Sequence, residues 1–200
     1  MKKLLLTIAL VAAAAAMSYG QGTIQFNNSG AARFQLQRND GVRSNIPPAI
    51  QLNVGFFFGL DSAAAVSDIP VMPLGTMTTS PGIMSALGGN AYQLPNTTTG
   101  QSNVWGRVRG WSTQFGSDWR AAMAANQAGT PGAYFGETDI RNLAPLGLPT
   151  GPGVVIWQGA TGTNPNRFNP LTVFEAIPEP SVIGLAIIGL GSLVFFRRRR

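Results

Sequence analysis

Residues 104–111 read VWGRVRGW. Val104, Gly106, Val108 and Gly110 fall on one phase of a two-residue alternation, and Trp105, Arg107, Arg109 and Trp111 fall on the other. In an extended chain successive side chains point to opposite faces. The segment therefore predicts a strand with one small, apolar face and one aromatic, cationic face. The same period recurs on both sides of it. GTIQFNN (22–28) alternates Ile24 and Phe26 with polar neighbours, and ARFQLQR (32–38) does so with Phe34 and Leu36. IQLNVGFFFGL (50–60) sets Ile50, Leu52, Val54 and Phe56 on one phase, and its run Phe56-Phe57-Phe58 predicts burial on both faces. Shorter strands are expected in AYQL (91–94), AYFGETDI (133–140), GVVIWQG (153–159) and LTVFEAI (171–177).

Residues 61–84, broken by Pro70, Pro73 and Pro81, read as loop. One helix is expected in SDWRAAMAANQ (117–127), with Ser117 or Asp118 as its N-cap and Gly129 just past its end. Roughly eight to ten short strands with one short helix, separated by Gly, Pro, Asn, Thr and Ser, predict an all-β body of β-sandwich or jelly-roll-like form. No cysteine is present, so no disulfide helps to hold it. Residues 21–177 are enough to bury a core of their own.

Charge is distributed unevenly. The net charge of +6 equals the sum of Lys2, Lys3 and Arg197 to Arg200, while residues 21–177 carry eight arginines against seven acids. A body so close to neutral lacks the basic field that nucleic acid requires, and no nucleic-acid partner is expected. The N-terminus explains the first two charges. Lys2 and Lys3 precede an apolar run from Leu4 to Ala16, and Ser18 and Gly20 supply the small residues that signal peptidase reads. Residues 1–20 are expected to be a signal peptide cut after Gly20, leaving Gln21 first.

The other four charges close a tail that reads PEPSVIGLAIIGLGSLVFFRRRR (178–200). Pro178 and Pro180 fix their own φ angles and disfavour helix in the residues before them, which leaves Glu179 displayed on a stiff, extended tripeptide. Pro180 is equally suited to the first turn of a following helix. Ser181 to Phe196 then runs apolar for about 24 Å of helix, a short transmembrane span aided by snorkelling of Arg197, Arg198, Arg199 and Arg200, which are retained on the cytoplasmic side.

Tripeptide, apolar run and arginine cluster together closely resemble the PEP-CTERM sorting signal of Gram-negative bacteria. The resemblance covers residues 178–200 only. It implies recognition by exosortase, an integral-membrane cysteine transpeptidase that cuts at or near Pro178-Glu179-Pro180, passage through the inner membrane, and delivery to the cell surface or extracellular matrix of a bacterium that makes exopolysaccharide. GTIQFNN is also similar to the start of many PEP-CTERM proteins of Verrucomicrobia-like bacteria, which implies no activity.

Chemistry within 21–177 is sparse. Histidine and cysteine are both absent, which excludes Ser-His-Asp and Cys-His arrangements and the usual zinc sites. Oxygen ligands for calcium would have to come from Asp61, Asp68, Asp118, Glu137 and Asp139, whose spacing is that of neither an EF-hand nor a nonapeptide repeat. No metal and no cofactor are expected. Glu137 and Asp139, two apart on an expected strand, read either as the paired carboxylates of a polysaccharide hydrolase or as two solvated charges. Trp105, Arg107, Arg109 and Trp111 read either as a glycan-binding face, with rings for sugars and guanidiniums for acidic groups, or as tryptophans packed on a second layer beside arginines paired to nearby acids. The leading expectation is a non-catalytic, exported surface protein whose extracellular partner, if any, is polysaccharide.

Overall fold

The computed structural model describes residues 21–28, 30–70, 75–85, 91–143, 145–148, 153–159 and 162–177. Within them lie twelve strands and one α-helix: β1 (Thr23–Gln25), β2 (Gln35–Gln37), β3 (Arg43–Asn45), β4 (Leu52–Leu60), β5 (Gly75–Met77), β6 (Met84–Ser85), β7 (Tyr92–Gln93), β8 (Val104–Ser112), α1 (Trp119–Gln127), β9 (Tyr134–Glu137), β10 (Arg141–Asn142), β11 (Val154–Val155) and β12 (Thr172–Glu175). Each segment predicted as a strand contains one, and the predicted helix is present. The expected signal peptide, the tripeptide, the apolar tail and its arginines lie outside the described residues.

The longest ladder joins the two most strongly patterned segments. β4 and β8 pair antiparallel over nine positions, from Leu52 opposite Ser112 to Leu60 opposite Val104. All of Leu52 to Gly59 is buried, as the triple phenylalanine predicts. Val54, Phe56 and Phe58 face the main core, while Phe57 points the other way, onto Trp111, Trp119 and Ala122. Gly106, opposite Phe58, makes room for the Phe56 ring: a Cβ there would come within 2.7 Å of it. Such complementarity allows an aromatic ring to sit flat in a close-packed interior.

Two sheets result. The larger runs β3-β2-β12-β9-β8-β4-β5-β6, with β10 added beside β8, and curls into a half-barrel. The smaller, β11-β1-β7, contributes Ile24 to the same core as Leu36, Val54, Val108 and Val173 of the larger. Trp157, next to β11, seats between them: its ring lies 5.0 Å from Phe34 and 5.8 Å from Phe168, and its buried indole N–H donates to the Phe26 carbonyl at 2.6 Å.

The sandwich or jelly-roll expectation thus needs revision in its arrangement. Both of those forms pair antiparallel strands in two sheets of similar size. Here one sheet dominates and both are mixed, because β2 pairs parallel with β12 and β1 pairs parallel with β11. Parallel neighbours need long crossovers, which the many loops of this chain provide.

A third layer covers part of the outer face of the larger sheet. Asp118 caps α1 by accepting from the Arg120 and Ala121 N–H groups at 3.1 and 3.0 Å, and Gly129 ends the helix region at φ +73°. The buried stripe of α1, Trp119 and Ala122, lies on Phe57 of β4 and Trp111 of β8, with Phe135 of β9 packed beside them. The helix stops there. The outer faces of β12, β2 and β3 stay open, and Phe174 of β12 is 46 % exposed.

Candidate functional site

β8 places its residues as the alternation predicts, but the outward set is divided between two environments. At one end Trp111 is wholly buried under α1, where its indole N–H donates to the Gly116 carbonyl at 2.9 Å. It has no surface to offer a ligand. Arg109, only 5 % exposed, is sandwiched with its guanidinium carbon 3.7 Å from the Trp119 ring centre and 4.7 Å from that of Phe57. Its Nε donates to Glu137 at 3.0 Å and its Nη1 to Asp68 at 3.3 Å. Asp68 also accepts from Arg120 at 3.0 Å, and its carbonyl accepts the Trp119 indole N–H at 3.1 Å. Arg109 thereby ties the loop before β5 and the start of α1 to the sheet.

At the other end the strand opens. Arg107, partly exposed, donates to the same Glu137 oxygen at 3.1 Å, while its Nε is buried with no acceptor among the described residues. Trp105 is half-buried and borders a cleft of about 380 Å³ with Asn142, Pro165, Asn166 and Arg141. A second cleft of about 380 Å³ adjoins it, sharing Asp139 and Arg141, and is lined further by Arg43, Glu137, Thr172 and Phe174. The two clefts meet at Asp139 and Arg141, and together they make a groove.

The sequence-predicted candidates therefore separate. Trp105, Arg107, Glu137 and Asp139 border or approach the groove; Arg109 and Trp111 lie beneath the helix layer. Glu137 closes β9, and its Oε2 is shared by two guanidiniums. Asp139 lies beyond the strand, its side chain 88 % exposed and 3.8 Å from Arg141. Among the described residues no three acidic side chains gather into a possible metal site. Asp118 is used as a helix cap, and Asp68 and Glu137 are taken by arginines. Arg43, Arg141, Asn142 and Phe174 were not singled out by sequence reasoning. The one local signal was Phe174, a large apolar residue on the polar phase of its strand.

The two arginines on Asp68 hold its carboxyl below the usual range, the Arg109 hydrogen bond being the larger cause and that of Arg120 the next. The folded state then binds fewer protons than the unfolded state. The contribution is complete above the unfolded pKa of about 3.9 and is lost as pH falls through the lower folded value. Asp68→Asn is accordingly expected to flatten the acid limb of the stability curve below about pH 4 and to leave its slope above pH 5 unchanged, as followed by thermal melts. Because Asp68 is well exposed, the difference is small.

The tail finds its own counterpart. Residues 176–200 match the family model described as the PEP-CTERM protein-sorting motif. The chain ends in a PEP-CTERM sorting motif. That motif implies an exported protein sorted by exosortase to the cell surface. The match begins at Ala176 and Ile177, the last described residues, immediately after β12. Ala176 is buried and its carbonyl accepts from the Asn39 side chain at 3.3 Å, whereas Ile177 is 65 % exposed, so the PEP-CTERM motif leaves the body at its surface. Among the described residues no helix is long and apolar enough to cross a membrane. No curated protein and no solved structure matches the chain.

Proposed function

We propose that the body, residues 21–177, is a non-catalytic domain displayed at the cell surface or in the extracellular matrix of a Gram-negative bacterium, where it associates with exopolysaccharide. The precursor is threaded through the inner membrane by its signal peptide, held there by the apolar run 181–196 with Arg197 to Arg200 inside, and released or transferred by exosortase. The PEP-CTERM match carries this reading. A hydrolase built on Glu137 and Asp139 has less in its favour, since one carboxylate is clasped by Arg107 and Arg109 and the other stands at an open rim.

The test compares a host with and without its exosortase. With the enzyme, the body is expected at the surface, susceptible to protease added to intact cells, and starting at Gln21. Without it, the body is expected to stay membrane-bound with its tail. Equal surface display in both hosts would overturn the sorting route, and retention of residues 1–20 would overturn the cleavage site.

A further inference from the structure

From the open part of the sheet we infer that the groove between Phe174 and Trp105 is a binding site for a polysaccharide bearing carboxylate groups. This deepens the reading of the body as a surface protein and rests on it. The register puts the groove together. Gln35 pairs with Asn45 and Thr172, and Gln37 pairs with Arg43 and Phe174, so these six side chains share the outer face of β3, β2 and β12. The Arg43 Nε donates to Gln37 Oε1 at 2.9 Å across that face, which holds the guanidinium in the cleft that Phe174 also lines.

Three properties select the ligand. First, the surface carries amides, a hydroxyl and guanidiniums, able to donate and accept many hydrogen bonds, around one exposed ring. Sugars present that combination of hydroxyl rims and apolar faces, and aromatic rings supply flat contact area. Second, the ends of the groove lie on β3 and β8, four strand spacings apart, or about 19 Å. That length suits an extended chain better than a compact metabolite. Third, Arg43 and Arg141 line the groove with two carboxylates, Glu137 and Asp139, of which Glu137 is already held by Arg107 and by the buried Arg109. Arg141 has only a 3.4 Å bond to the Pro165 carbonyl and the 3.8 Å approach to Asp139. Arg43 and Arg141 thus keep donors for carboxylates in the fork geometry that guanidinium favours. An apolar protein partner would find a single exposed ring here, and nucleic acid would find too little charge.

The full chain in mild detergent is titrated with polygalacturonate, a homopolymer of uronic acid, and with dextran, a neutral one. Polygalacturonate is expected to bind at least about tenfold tighter, with affinity falling as salt rises. Arg43→Gln combined with Arg141→Gln is expected to weaken it about tenfold, the loss of one or two charge-assisted bonds. Phe174→Ala, on an exposed ring, is expected to weaken both polymers without lowering the melting temperature. Arg33→Gln serves as control, because Arg33 is a partly exposed arginine bonded to the Pro81 carbonyl away from the groove. Equal affinity for the two polymers, indifference to the double substitution, or an equal loss with Arg33→Gln would each overturn the assignment. Protease shaving of the same cells separates this from the broader reading: surface display without binding refutes the groove alone. Shortening of the polymer would uphold the groove and refute the non-catalytic role.

Discussion

Replacing Pro178, Glu179 and Pro180 together with alanine is expected to abolish processing while leaving membrane insertion intact. Insertion depends on the apolar run and on Arg197 to Arg200, none of which is altered. The two prolines fix φ near −65° and remove two donors, and they keep the tripeptide out of helix. Three alanines lift those backbone restrictions and remove the carboxylate as well. A substrate held in an extended cleft then loses both its shape and its charge. Pulse-chase in a host with exosortase should show wild type losing residues 181–200 and the triple variant keeping them, with Pro180→Ala alone close to wild type. Normal trimming of the triple variant would reduce residues 178–200 to a plain anchor.

Among the charged residues of the helix layer the largest loss is expected from Arg109→Ala, at about 3 kcal/mol. Its two carboxylate partners are both partly exposed and can rehydrate, so the cost of orphaned buried charge described for closed ion pairs does not apply in full. What disappears is the stack between Trp119 and Phe57, worth about 2 kcal/mol when desolvated, and the volume of a long side chain in a packed layer. Arg109→Met keeps the stem and should lose about 1 kcal/mol. Arg120→Ala, with a side chain 62 % exposed, should lose no more than about 0.5 kcal/mol despite bonding the same Asp68. Urea unfolding of residues 21–177 orders the three. A loss from Arg120→Ala equal to that from Arg109→Ala would show that the ion pairs, and not the stack, hold α1 to the sheet.

That helix layer is also where sequence and structure part company. Two-residue alternation told which residues of β4 and β8 share a face, since the pleat alone decides it. It could not tell what covers that face. Trp111 and Trp105 stand on the same phase six residues apart, yet one is sealed by Trp119 and Ala122 and the other borders a groove. Strand neighbours were equally hidden, because β2 meets β12 across 137 positions and no local pattern records such a pairing. The groove followed the same rule: Arg43, Arg141 and Phe174 come from three distant segments and line one cleft only in the folded chain. The Asp118 cap and the sorting tail were legible because each is written in consecutive residues.

β12 lies inside the larger sheet, between β2 and β9, and its last residue, Glu175, is three positions before Pro178. Among the described residues β12 is the strand that pairs the β2–β3 ribbon with the rest of that sheet, and the flanking Phe34 N–H and Ile46 carbonyl also bond Gly82 between β5 and β6. On the proposed route the N-terminal side is exported first, so this final strand arrives last, just ahead of the sorting signal. Ala176 and Ile177 give at most about 7 Å of slack between them. On that route exosortase acts beside a finished fold. A cut after Ile177 releases an intact body, whereas one five residues earlier would take Val173 from the core and leave β2 and β3 without the strand that binds them.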